Sequence, residues 1–184
     1  MQKDLTKGSA LKNIIMFSLP FLLSNFLQTF YGMADLFIVG QYNGAASLTG
    51  VSVGSQVMHM LTVMIVGLAM GTTVLVGRYV GEGKEQEKRT VIGNTVIIFL
   101  MISVLLAAVL LIFIDPIITV MFTPAEAVSE TRLYLRICFM GIPFIVAYNV
   151  ISSIFRGLGD SKSPMYFVVV ACFLNILLDY LFIG

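Results

Sequence analysis

Ile14–Gly40 reads IIMFSLPFLLSNFLQTFYGMADLFIVG, 27 residues that contain one formal charge, Asp35. As a helix, such a run is long enough to cross roughly 30 Å of hydrocarbon. Lys3, Lys7 and Lys12 precede it in the manner of a signal peptide. It is too long for the apolar region of one, however, so it reads as an uncleaved first transmembrane helix. A lone carboxylate at membrane depth costs at least about 2.5 kcal/mol. A segment that only anchored the chain would have no reason to carry it.

The rest of the 184-residue chain agrees with this reading. Hydrophobic residues make up 58% and charged residues 11%, with a mean hydropathy of +0.97, which excludes an ordinary soluble domain. The net charge of +1 provides no field for nucleic acid. Cys138 and Cys172 lie in apolar stretches without metal-like spacing and read as free thiols packed as small hydrophobes. Five apolar segments, at about 14–40, 50–76, 91–114, 137–155 and 165–183, predict an all-α, polytopic membrane protein with five transmembrane helices. Within the connection 115–136, the stretch Pro124–Arg136 mixes Val128, Leu133 and Leu135 with four charges and predicts a short helix lying at the membrane surface. With the N-terminus inside, nine basic residues (Lys3, Lys7, Lys12, Arg78, Lys84, Lys88, Arg89, Arg156 and Lys162) face the cytoplasm. Only Arg132 and Arg136 face out. The positive-inside rule therefore predicts a multi-pass plasma-membrane protein with a cytoplasmic N-terminus. Five spans leave Gly184 outside with no tail after it, which reads as the N-terminal part of a longer protein.

Polar residues inside the spans are the functional candidates. Gln28, Tyr31 and Asp35 follow one another at i, i+3 and i+7, and Asn25 extends the same stripe. A polar stripe ending in a carboxylate should face a cavity or other helices rather than lipid. Pro20 removes one backbone bond and allows this helix to kink. On the last helix Asn175 and Asp179 are i and i+4. Both carboxylates lie about 7–8 Å below the outer ends of their predicted helices, so they can meet at one level of one cavity. Two carboxylates in a poorly hydrated pocket cannot both stay charged without compensation. Such a pair can hold a proton, a sodium ion or an organic cation and exchange one for another. Asp35, Asn175 and Asp179 are thus the candidate cation or proton ligands, suited to a hard monovalent cation such as Na⁺ or to a proton, with no resident cofactor implied.

Gln56 and His59, on the second helix with Ser52 and Thr62, are further cavity-lining candidates. As the only histidine, His59 cannot build a histidine metal site. The pairs Gly50/Gly54 and Gly67/Gly71 match small-xxx-small packing. Arg156 reads as an anchor at the cytoplasmic interface. Enzyme signals are absent and no catalytic residues are expected: Gly81, Gly83 and Lys84 fail the phosphate-loop spacing, and there is no HExxH and no Cys/His dyad.

Four stretches together resemble the multidrug and toxic compound extrusion (MATE) family. They are Pro20 with Tyr31-Gly-Met-Ala-Asp35-Leu-Phe-Ile-Val-Gly40, then Gly67-Leu-Ala-Met-Gly71 running to Gly77-Arg-Tyr-Val-Gly81, then Arg156-Gly-Leu-Gly-Asp160-Ser-Lys-Ser-Pro164, and lastly Asn175-Ile-Leu-Leu-Asp179. They occur in the family's order across nearly the whole chain. The resemblance implies two six-helix lobes around a central cavity and export of cationic or amphipathic compounds in exchange for Na⁺ or H⁺. By motif, Asp35 is the first-helix carboxylate of the N-lobe cation site, Asn175 and Asp179 are its fifth-helix partners, Tyr31 is a cavity neighbour, and Pro20 is where helix one bends. On this reading the chain holds five helices of a six-helix N-lobe, its partners are membrane lipid, a small-molecule substrate and a missing C-terminal lobe, and it is inactive alone. Two other readings compete. A lipid-linked oligosaccharide flippase of the related superfamily predicts a cavity running to basic side chains. A non-transporting membrane scaffold predicts that Asp35 and Asp179 point apart.

Overall fold

The computed structural model describes residues 9–183, so Lys3, Lys7 and Gly184 lie outside the described residues. Seven α-helices follow in order: α1 Ala10–Tyr42, α2 Ala45–Gly81, α3 Glu85–Ile112, α4 Ile114–Val120, α5 Val128–Met140, α6 Ile142–Gly157 and α7 Lys162–Phe182. A 3-10 turn, Ala125–Ala127, precedes α5. No strand occurs among the described residues. By length and apolarity α1, α2, α3 and α7 can each cross a membrane, and α5 with α6 makes a fifth crossing if that bent pair is one span.

The expected fourth span, 137–155, takes a different form: helix runs from 128 to 157 with a 49° bend between α5 and α6. The cause is local. Pro143 stands in the first turn of α6, where it has no N–H to donate and its ring would clash with the carbonyl four residues back. The ladder therefore breaks at Gly141, whose N–H is shared between Ile137 and Cys138 carbonyls. The surface helix expected over Pro124–Arg136 is corrected by the same observation. It continues to Met140, and Thr131, Leu135 and Phe139, one turn apart, are completely buried against the bundle.

One hydrophobic core joins α2, α3, α4, α5 and α6 through residues such as Val57, Leu61, Ala107, Ile118, Phe139 and Val146. Gly50 and Gly54 allow α5 to approach α2: a Cβ on Gly50 would sit 2.8 Å from Cβ of Glu130, and one on Gly54 would run into the Tyr134 ring. Gly67 and Gly71 have nothing within 4 Å, so only the first of the two glycine pairs makes a contact among the described residues. At the other end of the bundle Gly157 lies against Val76, and the Thr73 hydroxyl donates to the Ser153 carbonyl at 2.9 Å, tying α2 to α6. Such bonds hold helices together where the solvent offers none.

Helices α1 and α7 stand apart from that core and pack on each other along a long seam, with α2 touching α1 and α6 touching α7. Leu11, Leu19, Phe26, Met33 and Phe37 of α1 are all more than 60% exposed, as are Phe173 and Leu181 of α7. Apolar faces of this extent suit hydrocarbon as the surrounding solvent.

Candidate ion and ligand sites

Asp35 and Tyr31 on α1, and Asn175 and Asp179 on α7, are half-buried on the two helices that form the seam. The Asp35 and Asp179 carboxylates lie within electrostatic reach of each other, and Tyr31 is within reach of Asp35. Two atoms here are inconsistent with a finished hydrogen-bond network. Asn175 Oδ1 and Asp179 Oδ2 are buried and have no hydrogen-bond partner. Buried acceptors left unpaired are costly, so an amide oxygen and a carboxylate oxygen one turn apart on α7 together offer a cation two ready ligands. Among the described residues no three His, Cys, Asp or Glu side chains cluster into a metal site, which leaves a site of two carboxylates and one amide.

Helix α5 faces this site too. Asp35 acts electrostatically on Tyr134 and Cys138, although α5 does not pack against α1. Tyr134 is held by the Ser55 hydroxyl at 3.0 Å, and Gly54 makes room for its ring. These neighbours follow from the buried course of α5. Their signal in the sequence is the Thr131/Leu135/Phe139 stripe at spacing four, which marks a packed helix rather than one lying at an interface.

The stripe on α1 divides between two places. Gln28 and Asn25 do not accompany Asp35; they line a separate cavity of about 40 Å³ with Phe21, Tyr148, Ser161 and Arg156. Pro20 is buried at this level, and the Ser24 hydroxyl donates to its carbonyl at 2.9 Å. The Arg156 guanidinium lies 5.2 Å over the Phe21 ring and lines the cavity. Gln56 and His59 lie on the exposed side of α2, opposite the buried row Gly50, Gly54, Val57 and Leu61. No described residue encloses them.

The string Gly50-Val-Ser52-Val-Gly54 has the GxSxG spacing of a hydrolase nucleophile. Here it runs inside α2, not over the strand-to-helix turn that exposes such a serine, and its glycines serve the contact with α5.

A family model, MatE, matches residues 20–181. The probable multidrug resistance protein YoeA of Bacillus subtilis is 31% identical over 97% of this chain and 39% of its own length. Among solved structures, a MOP superfamily transporter from Pyrococcus furiosus superposes with a TM-score of 0.89 at 31% identity, covering 97% of this chain and 39% of that one. A MATE structure in the bent conformation gives 0.88 at 31% identity, covering 96% and 39%. The chain spans about two-fifths of the length of the relatives it matches. The MatE match over most of the sequence, on an all-helical bundle with four to five membrane-crossing elements, places this chain in the MatE family of multi-pass membrane transporters.

Proposed function

We propose that the chain works as one lobe of a secondary antiporter that exports cationic or amphipathic compounds in exchange for H⁺ or Na⁺. The observation that carries this reading is the pair of buried, unpartnered acceptors, Asn175 Oδ1 and Asp179 Oδ2, on the helix that packs along the Asp35 helix. A proton on either carboxylate, or a sodium ion between them, supplies what these acceptors lack. A cationic substrate that enters the same field competes with that ion, and competition for one site is the simplest form of exchange coupling. Tyr31 and Tyr134 shape the polar wall around Asp35. Gln56 and His59 face a substrate path only if a second lobe closes over the exposed side of α2. We assign that second lobe, membrane lipid and a small amphipathic compound as its partners, and the plasma membrane, with the N-terminus cytoplasmic, as its place.

The test is efflux of a fluorescent cationic dye by the full-length protein in cells. Asp35→Asn and Asp179→Asn should each reduce efflux to the vector background at wild-type expression, and Asn175→Ala should weaken it. Efflux that survives both Asp substitutions would remove the carboxylate pair from the mechanism.

A further inference from the structure

Arg156 carries a charge that no described carboxylate meets. Its Nη2 donates to the Ser153 hydroxyl at 2.9 Å, and its carbon face rests on Phe21. Its Nε is buried and has no partner. The nearest acid in sequence is Asp160, whose carboxylate is occupied by the Lys162 and Ser163 amides and the Ser163 hydroxyl. A half-buried guanidinium in the last turn of α6, with its Nε enclosed and no counter-charge among the described residues, is held in place for a ligand more readily than for packing. The cavity beside it is lined by donors, with Asn25, Gln28, Tyr148 and Ser161 on its wall, and by no acidic side chain among the described residues. About 40 Å³ is room for a few waters or one small oxyanion.

We propose that this cavity is an anion-binding site that takes a phosphate or carboxylate, either as the head of an amphiphile lying in the membrane or as a free ion. Arg156 provides the fixed charge and a fork of donors suited to two oxygens. Asn25 and Gln28 supply donors from α1, while Phe21 holds the guanidinium plane. The site is distinct from the carboxylate pair. Phe21 and Asp35 are 14 residues apart on α1, or about 21 Å along a straight helix. One seam of the fold thus holds a cation-binding end and an anion-binding end.

Titration calorimetry on the full-length protein, delipidated in a neutral detergent, tests this with decyl phosphate as the probe. Wild type should bind it and should not bind decyltrimethylammonium in its place. Arg156→Gln should weaken binding roughly ten- to a hundred-fold, the equivalent of one charge-assisted hydrogen bond. The double variant Asn25→Leu/Gln28→Leu, which keeps the arginine, should weaken it as well and serves where Arg156→Gln fails to fold. Competition by dihexanoyl phosphatidylglycerol identifies a lipid head as the occupant, and competition by inorganic phosphate alone identifies a free anion. Asp35→Asn should leave the affinity within two-fold, so failure of the antiport reading and failure of this site are separable. Equal binding of the phosphate and ammonium amphiphiles, or binding unaltered in both cavity variants, would overturn the proposal.

Discussion

Gly54→Ala tests whether the approach of α5 to α2 organises the candidate ion site. The added methyl would meet the Tyr134 ring, 2.7 Å from Cε1 and 3.2 Å from Cγ, with the ring carbon between them closer still. Overpacking of this kind costs about 1–3 kcal/mol. The ring cannot swing clear without losing its 3.0 Å hydrogen bond to Ser55, a further cost of about 0.5–1.5 kcal/mol. Against these stands the helix propensity gained on replacing glycine, about 0.8–1 kcal/mol. The net expectation is a loss of about 0.5–3.5 kcal/mol. Gly71→Ala supplies the contrast, because it has nothing within 4 Å and retains only the propensity gain. Reversible unfolding of the full-length protein in mixed micelles gives both numbers. Adding Tyr134→Ala should recover most of the Gly54→Ala loss, a coupling that a double-mutant cycle measures directly. If Gly54→Ala proves as stable as Gly71→Ala, or Tyr134→Ala leaves its loss unchanged, the close contact between α2 and α5 is wrong.

Three further outcomes follow from the ends of the bundle. Gly157→Ala places a Cβ 2.7 Å from that of Val76 and should cost about 1–3 kcal/mol by unfolding midpoint, with Val76→Ala restoring it. Asp160→Ala removes the acceptor that caps the first turn of α7 and should cost about 0.5–2 kcal/mol, whereas Asp160→Asn keeps most of the cap. Burial pushes the Asp160 carboxyl up, but bonds from the Ser163 hydroxyl and the Ser163 and Lys162 amides outweigh it and hold the group below its ordinary value. Its contribution is therefore present above the unfolded value of about 4 and is lost as pH falls through the lower folded one, so the wild-type advantage over Asp160→Ala should vanish in acid unfolding curves. In the α2–α3 turn, hydrogen bonds from Arg78 and then Lys84 hold the Glu82 carboxyl at about 2. A carboxyl-detected NMR titration should find it ionised at pH 3, where an unpaired glutamate is protonated.

The helical, membrane-spanning character was legible because hydrocarbon punishes charge: one carboxylate between Lys12 and Arg78 is visible without any structure. The broken span was harder to read. Glu130, Arg132 and Arg136 lower the apolarity of residues 128–136, so a reading weighted by hydropathy assigns that stretch to the membrane surface. Yet all three of these residues are exposed, and Arg132 pairs with Asp115 at 2.8 Å. Between them runs the buried row Thr131, Leu135, Phe139. Periodicity carried the information that mean apolarity hid, and Pro143 marked where the helix had to break.

The site was legible one helix at a time. Spacing puts Gln28, Tyr31 and Asp35 on one face of α1, the helix that packs along α7. Spacing cannot say how far along that seam a single cavity extends. Ten and a half ångströms of rise separate Gln28 from Asp35, at about 1.5 Å per residue, enough to put one beside Arg156 and the other beside Asp179. Tyr31, between them, is within electrostatic reach of both Asp35 and Tyr148, and Tyr148 of Arg156. The polar face of α1 is thus a path with opposite charges at its two ends. Pro20 and the Ser24 hydroxyl bound to its carbonyl both loosen α1 in the turn that holds Phe21. Any change of bend there moves Phe21 against Arg156 while leaving the helix around Asp35 intact, which makes the arginine end the part of the path most sensitive to the shape of α1.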